Sequence, residues 1–326
     1  MDTVNWGIIG CGDVTEVKSG PAFNKVNHSS LVAVMRRNGE KAKDYAHRHG
    51  VPKWYADANS LINDPDINAI YVATPPSSHE EYAIAAMQAG KPVYVEKPMS
   101  TDAASAIRMT KMAEKTKVKL VVAHYRRGQP MFNGIKKLID EKAIGDVRFA
   151  HINIWKKLLT NDEMTVPMTA WRIDPAIAGG GLFHDLATHQ LDMMYYFFGE
   201  PAKLAGVSTN QAKLYGADDI VTGSILYKSG VVFAGTWCFT VDETMVRDTC
   251  EIIGSEGKIS FTFFEQDPIL LTRHNKTETI SFDKLQHVQQ PMIEKVVQYF
   301  RGEGLNPDTG EEGVKVMQML EEFTKA

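Results

Sequence analysis

Short apolar runs alternate with helical patterns through the first part of the chain. "VNWGIIG" (4–10), "SLVAVMRR" (30–37), "INAIYVAT" (67–74), "PVYVEKP" (92–98) and "KLVVAH" (119–124) read as buried strands. Between them, "DVTEVKSGPAFNKV" reads as a helix broken at Gly20-Pro21. "NGEKAKDYAHRHG" (38–50) is a polar helix closed by Gly50. "SSHEEYAIAAMQAG" (77–90) has Ser at its start, Glu three residues on and Gly at its end, the pattern of a capped helix. "TDAASAIRMTKMAEKT" (101–116) carries Asp102 in its first turn and Lys in its last. Strand and helix in alternation predict a doubly wound parallel sheet with helices on both faces.

From residue 125 the rhythm changes. One helix, "PMFNGIKKLIDEKAIG", precedes strand-like runs: "VRFAHINIWKK", "KLAGVSTNQAKLY", "DIVTGSILYKSGVVFAGTWCFT", "DTCEIIGSEGKISFTFF" and "PILLTRH". "YKSGVV" and "GSEGKI" place turn residues between apolar runs and predict hairpins. A helix is expected around 180–198, and "DKLQHVQQPMIEKVVQYFRG" and "EEGVKVMQMLEEFTKA" close the chain as helices. The second half therefore predicts an α+β domain, a mostly antiparallel sheet with helices on one face. The 326 residues exceed one ordinary core, so two domains are expected, 1–123 and 124–326.

Composition narrows the function classes. Hydrophobic residues make up 44% and charged residues 23%, with a net charge of -4, and no basic pair extends into a patch, so a nucleic-acid partner is not expected. The three cysteines, Cys11, Cys238 and Cys250, form no C-x-x-C and suggest reduced thiols in a cytoplasmic protein. No signal-peptide pattern and no apolar run of membrane-spanning length is seen.

Candidate chemistry begins at "GIIGCGDV". Gly10 allows a tight turn after the first strand, and Gly12 lets the backbone approach a pyrophosphate where Asp13 and Val14 begin a helix. The third small residue of the dinucleotide fingerprint is replaced by Thr15. The second strand ends at Arg36 and Arg37, with no carboxylate until Glu40. A guanidinium there binds a 2′-phosphate that a carboxylate would repel, so NADP is favoured over NAD. The fourth strand ends in Glu96-Lys97-Pro98, at the sheet edge where ligands bind, and Pro98 restricts the backbone of Lys97.

The stretch "AGGGLFHDLATHQLD" places Asp185 and His189 four residues apart on one helical face, directly after Gly179, Gly180 and Gly181. An Asp there can fix the tautomer of the His and leave the other ring nitrogen for acid/base work. The plainer alternative is a surface pair worth a few tenths of a kcal/mol. His184 points away from His189 and reads as structural. Two ligands without a third nearby argue against a metal.

"GIIGCG", "VATPPSSH", "KPVYVEKP" and "WRIDPAIAGGGLFHDLATHQLD" resemble, in order and spacing, the Gfo/Idh/MocA oxidoreductases. That resemblance implies an N-terminal Rossmann domain and a C-terminal domain with a large open sheet. It implies catalytic roles for Lys97, Asp185 and His189. It also implies that Thr74, Pro75, His79 and Glu96 lie along the cofactor, and that Tyr125, Arg127, Trp171 and Arg172 lie near the substrate. Arg37 matches the 2′-phosphate arginine of NADP-dependent relatives. Members mostly oxidise or reduce a hydroxyl on a sugar, cyclitol or related polyol, and often form dimers or tetramers through the exposed face of the C-terminal sheet. The implied activity is hydride transfer with NADP(H), or with NAD(H). Two alternatives stay open: a non-catalytic dinucleotide sensor, and a glycoside-cleaving relative that retains NAD.

Overall fold

The computed structural model describes residues 1–325. They form two compact units: Met1–Gln129 with Leu285–Met317, and Pro130–Lys284 with the residues from Gln318 on. This grouping differs from a cut after residue 123, because a late stretch of chain returns to the first unit. No helix among the described residues is long and apolar enough to cross a membrane.

The first unit is built on β1 (Val4–Ile9), β2 (Ser29–Met35), β3 (Lys53–Tyr55), β4 (Ala69–Val72), β5 (Val93–Val95) and β6 (Leu120–Val122). Their order is β3-β2-β1-β4-β5-β6, with every neighbouring pair parallel. That is the doubly wound dinucleotide-binding order, and it leaves the C-terminal ends of β1, β2, β4 and β5 at one edge. β4 and β5 are buried at every position, as strands covered on both faces must be. β3 is an element the apolar pattern does not signal: three residues long, with Trp54 at its centre 42% exposed.

The helices follow the expected punctuation with two exceptions. Asn38 caps helix Gly39–His49 by accepting from the Lys41 amide at 3.0 Å, and Gly50 ends it with φ +63°. Asp102 is the cap of helix Ala103–Thr116 and lies just before its first turn, accepting from the Ser105 amide at 2.7 Å. Helix His79–Gln88 has no side-chain cap, because the Ser78 hydroxyl turns back to Thr74 Oγ1 at 2.8 Å and to Pro75 O. The helix expected from residue 283 starts only at Gln290, with Pro291 in its first turn. It gives Met292, Ile293, Val296, Val297 and Phe300 to the core that holds Trp6, Phe23 and Tyr94.

The second unit carries β7 (Val147–Lys157), β8 (Pro201–Thr209), β9 (Ile220–Tyr227), β10 (Val232–Val241), β11 (Arg247–Gly254), β12 (Gly257–Phe261), β13 (Ile269–Arg273) and β14 (Lys276–Ile280). The order is β14-β13-β12-β11-β7-β10-β9-β8, antiparallel except where β7 meets β10. The polar strand β14 was not foreshadowed by any apolar run. Alternation is clean along β10: Phe233, Trp237 and Phe239 are buried, while Val232 and Ala234 face out. Helix Gly181–Phe198 packs on the inner face, with Phe183 edge-on to Trp237 at 5.2 Å and Gln190 accepting from the Trp237 indole at 3.1 Å. Phe323 presses on the same face where Gly206 and Gly223 leave room; a Cβ at Gly223 would lie 2.3 Å from its ring.

Candidate active site

In the first unit the glycine turn follows β1. Gly10 has φ +95°, and a Cβ there would lie 2.7–2.9 Å from Thr74 and Ala73. Only glycine allows β1 and the chain after β4 to pass so close. A Cβ at Gly12 would meet only Gly10 O, at 3.9 Å. The backbone there faces open space, which suits the approach of a pyrophosphate. Asp13–Val17 is a helix with Gly12 as its cap residue. Cys11 between the glycines is buried, and burial pushes its thiol up to about 11, so it stays protonated at neutral pH.

The two arginines after β2 take different places. Arg36 is half-buried and reaches back to Cys11 O at 3.5 Å, bracing the glycine turn, while Arg37 is exposed. The loop after β4 carries Thr74 and Pro75. His79 lies beneath it, with no solvent exposure. One ring nitrogen is 2.7 Å from Thr74 O and the other 3.1 and 3.3 Å from Pro98 O and Met99 O. Burial pushes its pKa down. A neutral imidazole has a single N–H, so His79 bonds one of the two segments, with the Thr74 carbonyl the shorter contact, and packs against the turn that carries Lys97 with its other side.

Lys97 follows β5, and its bond to Pro98 is cis. Its amide donates to Glu96 Oε2 at 3.1 Å. Glu96 is 5% exposed and accepts from Tyr71 Oη at 2.5 Å and from Gln289 Nε2 at 2.7 Å. Gln289 stands out among the residues that sequence reasoning missed. After β6, Tyr125 joins the first unit's core, and Arg127 is buried with its guanidinium 2.9 Å from Glu312 and 3.5 Å from Asp308. Asp308 also faces His124 Nδ1 at 2.8 Å. Arg127 is therefore tied to the return stretch of its own unit.

In the second unit Asp185 and His189 lie on helix Gly181–Phe198, both buried. Gly179 and Gly181 both have positive φ, at +80° and +67°, and a Cβ at Gly181 would lie 2.3 Å from Ala217. The glycines turn the chain tightly against the 210–219 loop before the helix starts. Arg172 Nε donates to Asp185 Oδ2 at 2.9 Å, its Nη1 donates to Met168 O, and its guanidinium lies 4.4 Å over the Trp171 ring. The ring of His189 sits edge-on to Phe264 at 6.0 Å. His184 is 4% exposed, and neither of its ring nitrogens has a hydrogen-bond partner among the described residues. Burial lowers its pKa to about 4, so it is a neutral packing group set against Gly180.

A parallel sheet of this order, with a glycine turn after β1 and a lysine at the end of β5, defines a dinucleotide-binding oxidoreductase architecture. Residues 4–124 match the oxidoreductase family with an NAD-binding Rossmann fold, and residues 132–260 match the GFO/IDH/MocA C-terminal domain. The chain belongs to the Gfo/Idh/MocA oxidoreductase family. It is 44% identical over 320 residues to oxidoreductase P35 of Formosa agariphila, covering 98% of each chain. It is 36% identical over 263 residues to levoglucosan dehydrogenase of Pseudarthrobacter phenanthrenivorans, covering 72% of this chain and 66% of that protein. A solved structure of a levoglucosan dehydrogenase with NADH superposes with a TM-score of 0.89 at 23% identity, over 98% of this chain and 96% of that one, which establishes the common fold.

Proposed function

We propose that this protein transfers a hydride between a nicotinamide dinucleotide, NADP(H) in preference to NAD(H), and the carbinol or keto carbon of a sugar, cyclitol or related polyol. The observation that carries the reading is the fixed Lys97 turn at the end of β5, in the same unit as the open backbone at Gly12. A bound dinucleotide supplies or accepts the hydride. Gly10, Gly12, Asp13 and Val14 receive its pyrophosphate, Thr74 and Pro75 line its path, and His79 holds that loop in place. Exposed Arg37 takes the 2′-phosphate, and Arg36 braces the turn beside it.

Lys97 stabilises the oxyanion that develops on the substrate. His189 takes the hydroxyl proton during oxidation and returns it during reduction. Asp185 holds Arg172, and through it Trp171, so these two side chains shape the substrate's surroundings. The sugar-like substrate class is supported by the name of the levoglucosan dehydrogenase relative. The NADP preference rests on the arginines and on the absence of an acidic residue at the end of β2, and it stands against the NADH bound in the similar structure. Three unpaired cysteines support a reducing, cytoplasmic setting.

The open face of the eight-stranded sheet is read as the seat of a second copy. Val207, Leu226, Val232 and Phe149 are exposed there, beside a depression of about 490 Å³. A titration of NADPH against NADH, followed by keto-sugars and polyols watched at the nicotinamide absorbance, tests the reading. Binding without turnover of any such compound would favour the sensor alternative, and turnover only with NADH would remove the assignment of Arg37.

A further inference from the structure

Glu96 is assigned to the cofactor by resemblance, but its surroundings point elsewhere. A carboxylate removed from water is stable only if donors replace the lost hydration. Glu96 has three. Both Tyr71 Oη and Gln289 Nε2 converge on Oε1, at 2.5 and 2.7 Å, and the Lys97 amide takes Oε2 at 3.1 Å. Oε1 has no acceptor capacity left for a ligand hydroxyl.

The donors are themselves anchored. Tyr71 Oη is 3.2 Å from Ser19 Oγ, which donates to Val14 O at 3.2 Å. The Gln289 amide donates to Lys18 O at 3.2 Å, and His287 Nδ1 lies 2.6 Å from Val17 O. One buried carboxylate therefore ties together the segment after the glycine turn, strand β4, the return stretch and the lysine turn. From the other side His79 faces Pro98 O and Met99 O. The backbone of Lys97 is bonded on the Glu96 side, and the turn after it packs against the His79 ring, which confines where its side chain starts.

We infer that Glu96, held by Tyr71 and Gln289, is a positioning residue for Lys97 and not a ligand of the dinucleotide. The inference rests on the role given to Lys97 above. It also gives Gln289 a function that its place 193 residues down the chain conceals.

The test uses the full chain and the variants E96Q and Y71F. In the protein without cofactor, hydrogen exchange read by mass spectrometry follows the Lys97 amide in peptides spanning residues 93–100. E96Q puts an amide group where three donors converge, so protection at Lys97 falls by about tenfold or more. Y71F removes one hydroxyl and keeps the ring in the core, and protection falls by roughly threefold. At saturating NADPH and substrate, kcat of E96Q drops by about tenfold, while the Kd for NADPH, read by nicotinamide fluorescence, stays within about threefold of the parent value. A Kd raised by roughly tenfold with an unchanged bound rate would make Glu96 a dinucleotide ligand and overturn the inference. Unchanged exchange and unchanged turnover in both variants would overturn it as well. If E96Q does not fold, Y71F decides on the same readouts. A parent chain that neither binds NADPH nor turns over would defeat the functional reading alone, because the exchange measurement on unliganded protein still decides the positioning role.

Discussion

Gly10 and Gly12 lie two residues apart in one turn, yet alanine has opposite consequences at the two positions. At Gly10 the backbone sits at φ +95°, and a new Cβ would lie 2.7 Å from Thr74 Cγ2, 2.8 Å from Thr74 N and 2.9 Å from Ala73 C. The dihedral alone costs about 1 kcal/mol. Two of the three neighbours are backbone, so the chain after β4 must shift, which adds roughly 1–3 kcal/mol. A total of about 2–4 kcal/mol lowers the melting temperature by roughly 4–12 °C. At Gly12 φ is −127°, within reach of alanine, and the Cβ would meet only Gly10 O at 3.9 Å. G12A should melt within about 2 °C of the parent. Its methyl group would instead enter the open space where we propose the pyrophosphate binds, so NADPH affinity should fall by about tenfold or more. Thermal unfolding without ligand and a fluorescence titration with NADPH separate the two effects. G12A melting as low as G10A, or binding NADPH like the parent chain, would refute the view that one glycine serves the fold and the other the ligand.

Three further outcomes are expected. R37A should weaken NADPH by roughly tenfold, the worth of one charge-assisted contact, and leave NADH nearly unchanged; equal losses for both would show that Arg37 does not meet a 2′-phosphate. H189A should lower kcat by about 10²–10⁴-fold at an unaltered dinucleotide Kd, measured in single turnover, and a loss below about threefold would remove it from the mechanism. His184 has a folded pKa of about 4 against 6.5 for the free group, so the unfolded chain binds its proton first. Its contribution to stability is complete above pH 6.5 and is lost as the pH falls towards 4, by roughly 2–3 kcal/mol at pH 4.5. H184L should lose that share of the pH dependence in urea titrations at pH 7 and pH 4.5, and an identical slope in the variant would contradict a buried neutral imidazole.

The parallel sheet could be read from residue order because β1, β2, β4 and β5 are short, predominantly apolar runs bounded by turn residues. β3 could not, because a three-residue strand with an exposed Trp54 has no period to detect. The expected cap at the start of the helix after β4 failed for a local reason: Ser78 found a better partner in Thr74. The pairing of Asp185 with His189 on one face follows from helical spacing. The grip of Arg172 on Asp185 does not, since the chain between them, 13 residues on, passes through a short irregular helix and a glycine turn. Gln289 was invisible for a stronger reason. Its partner Glu96 lies 193 residues away, and only the return of Leu285–Met317 to the first unit brings them together.

That return sets a timetable for biosynthesis. The nucleotide-binding half begins at Met1, but Met292, Ile293, Val296, Val297 and Phe300 belong to its core. When residue 129 leaves the ribosome, the nascent sheet still lacks a wall. At translation speeds of roughly 5–20 residues per second, the missing piece follows roughly 8–35 seconds later. During that interval the buried faces of Trp6 and Phe23 must wait uncovered, and a version of the protein cut short after residue 129 would keep them so for good.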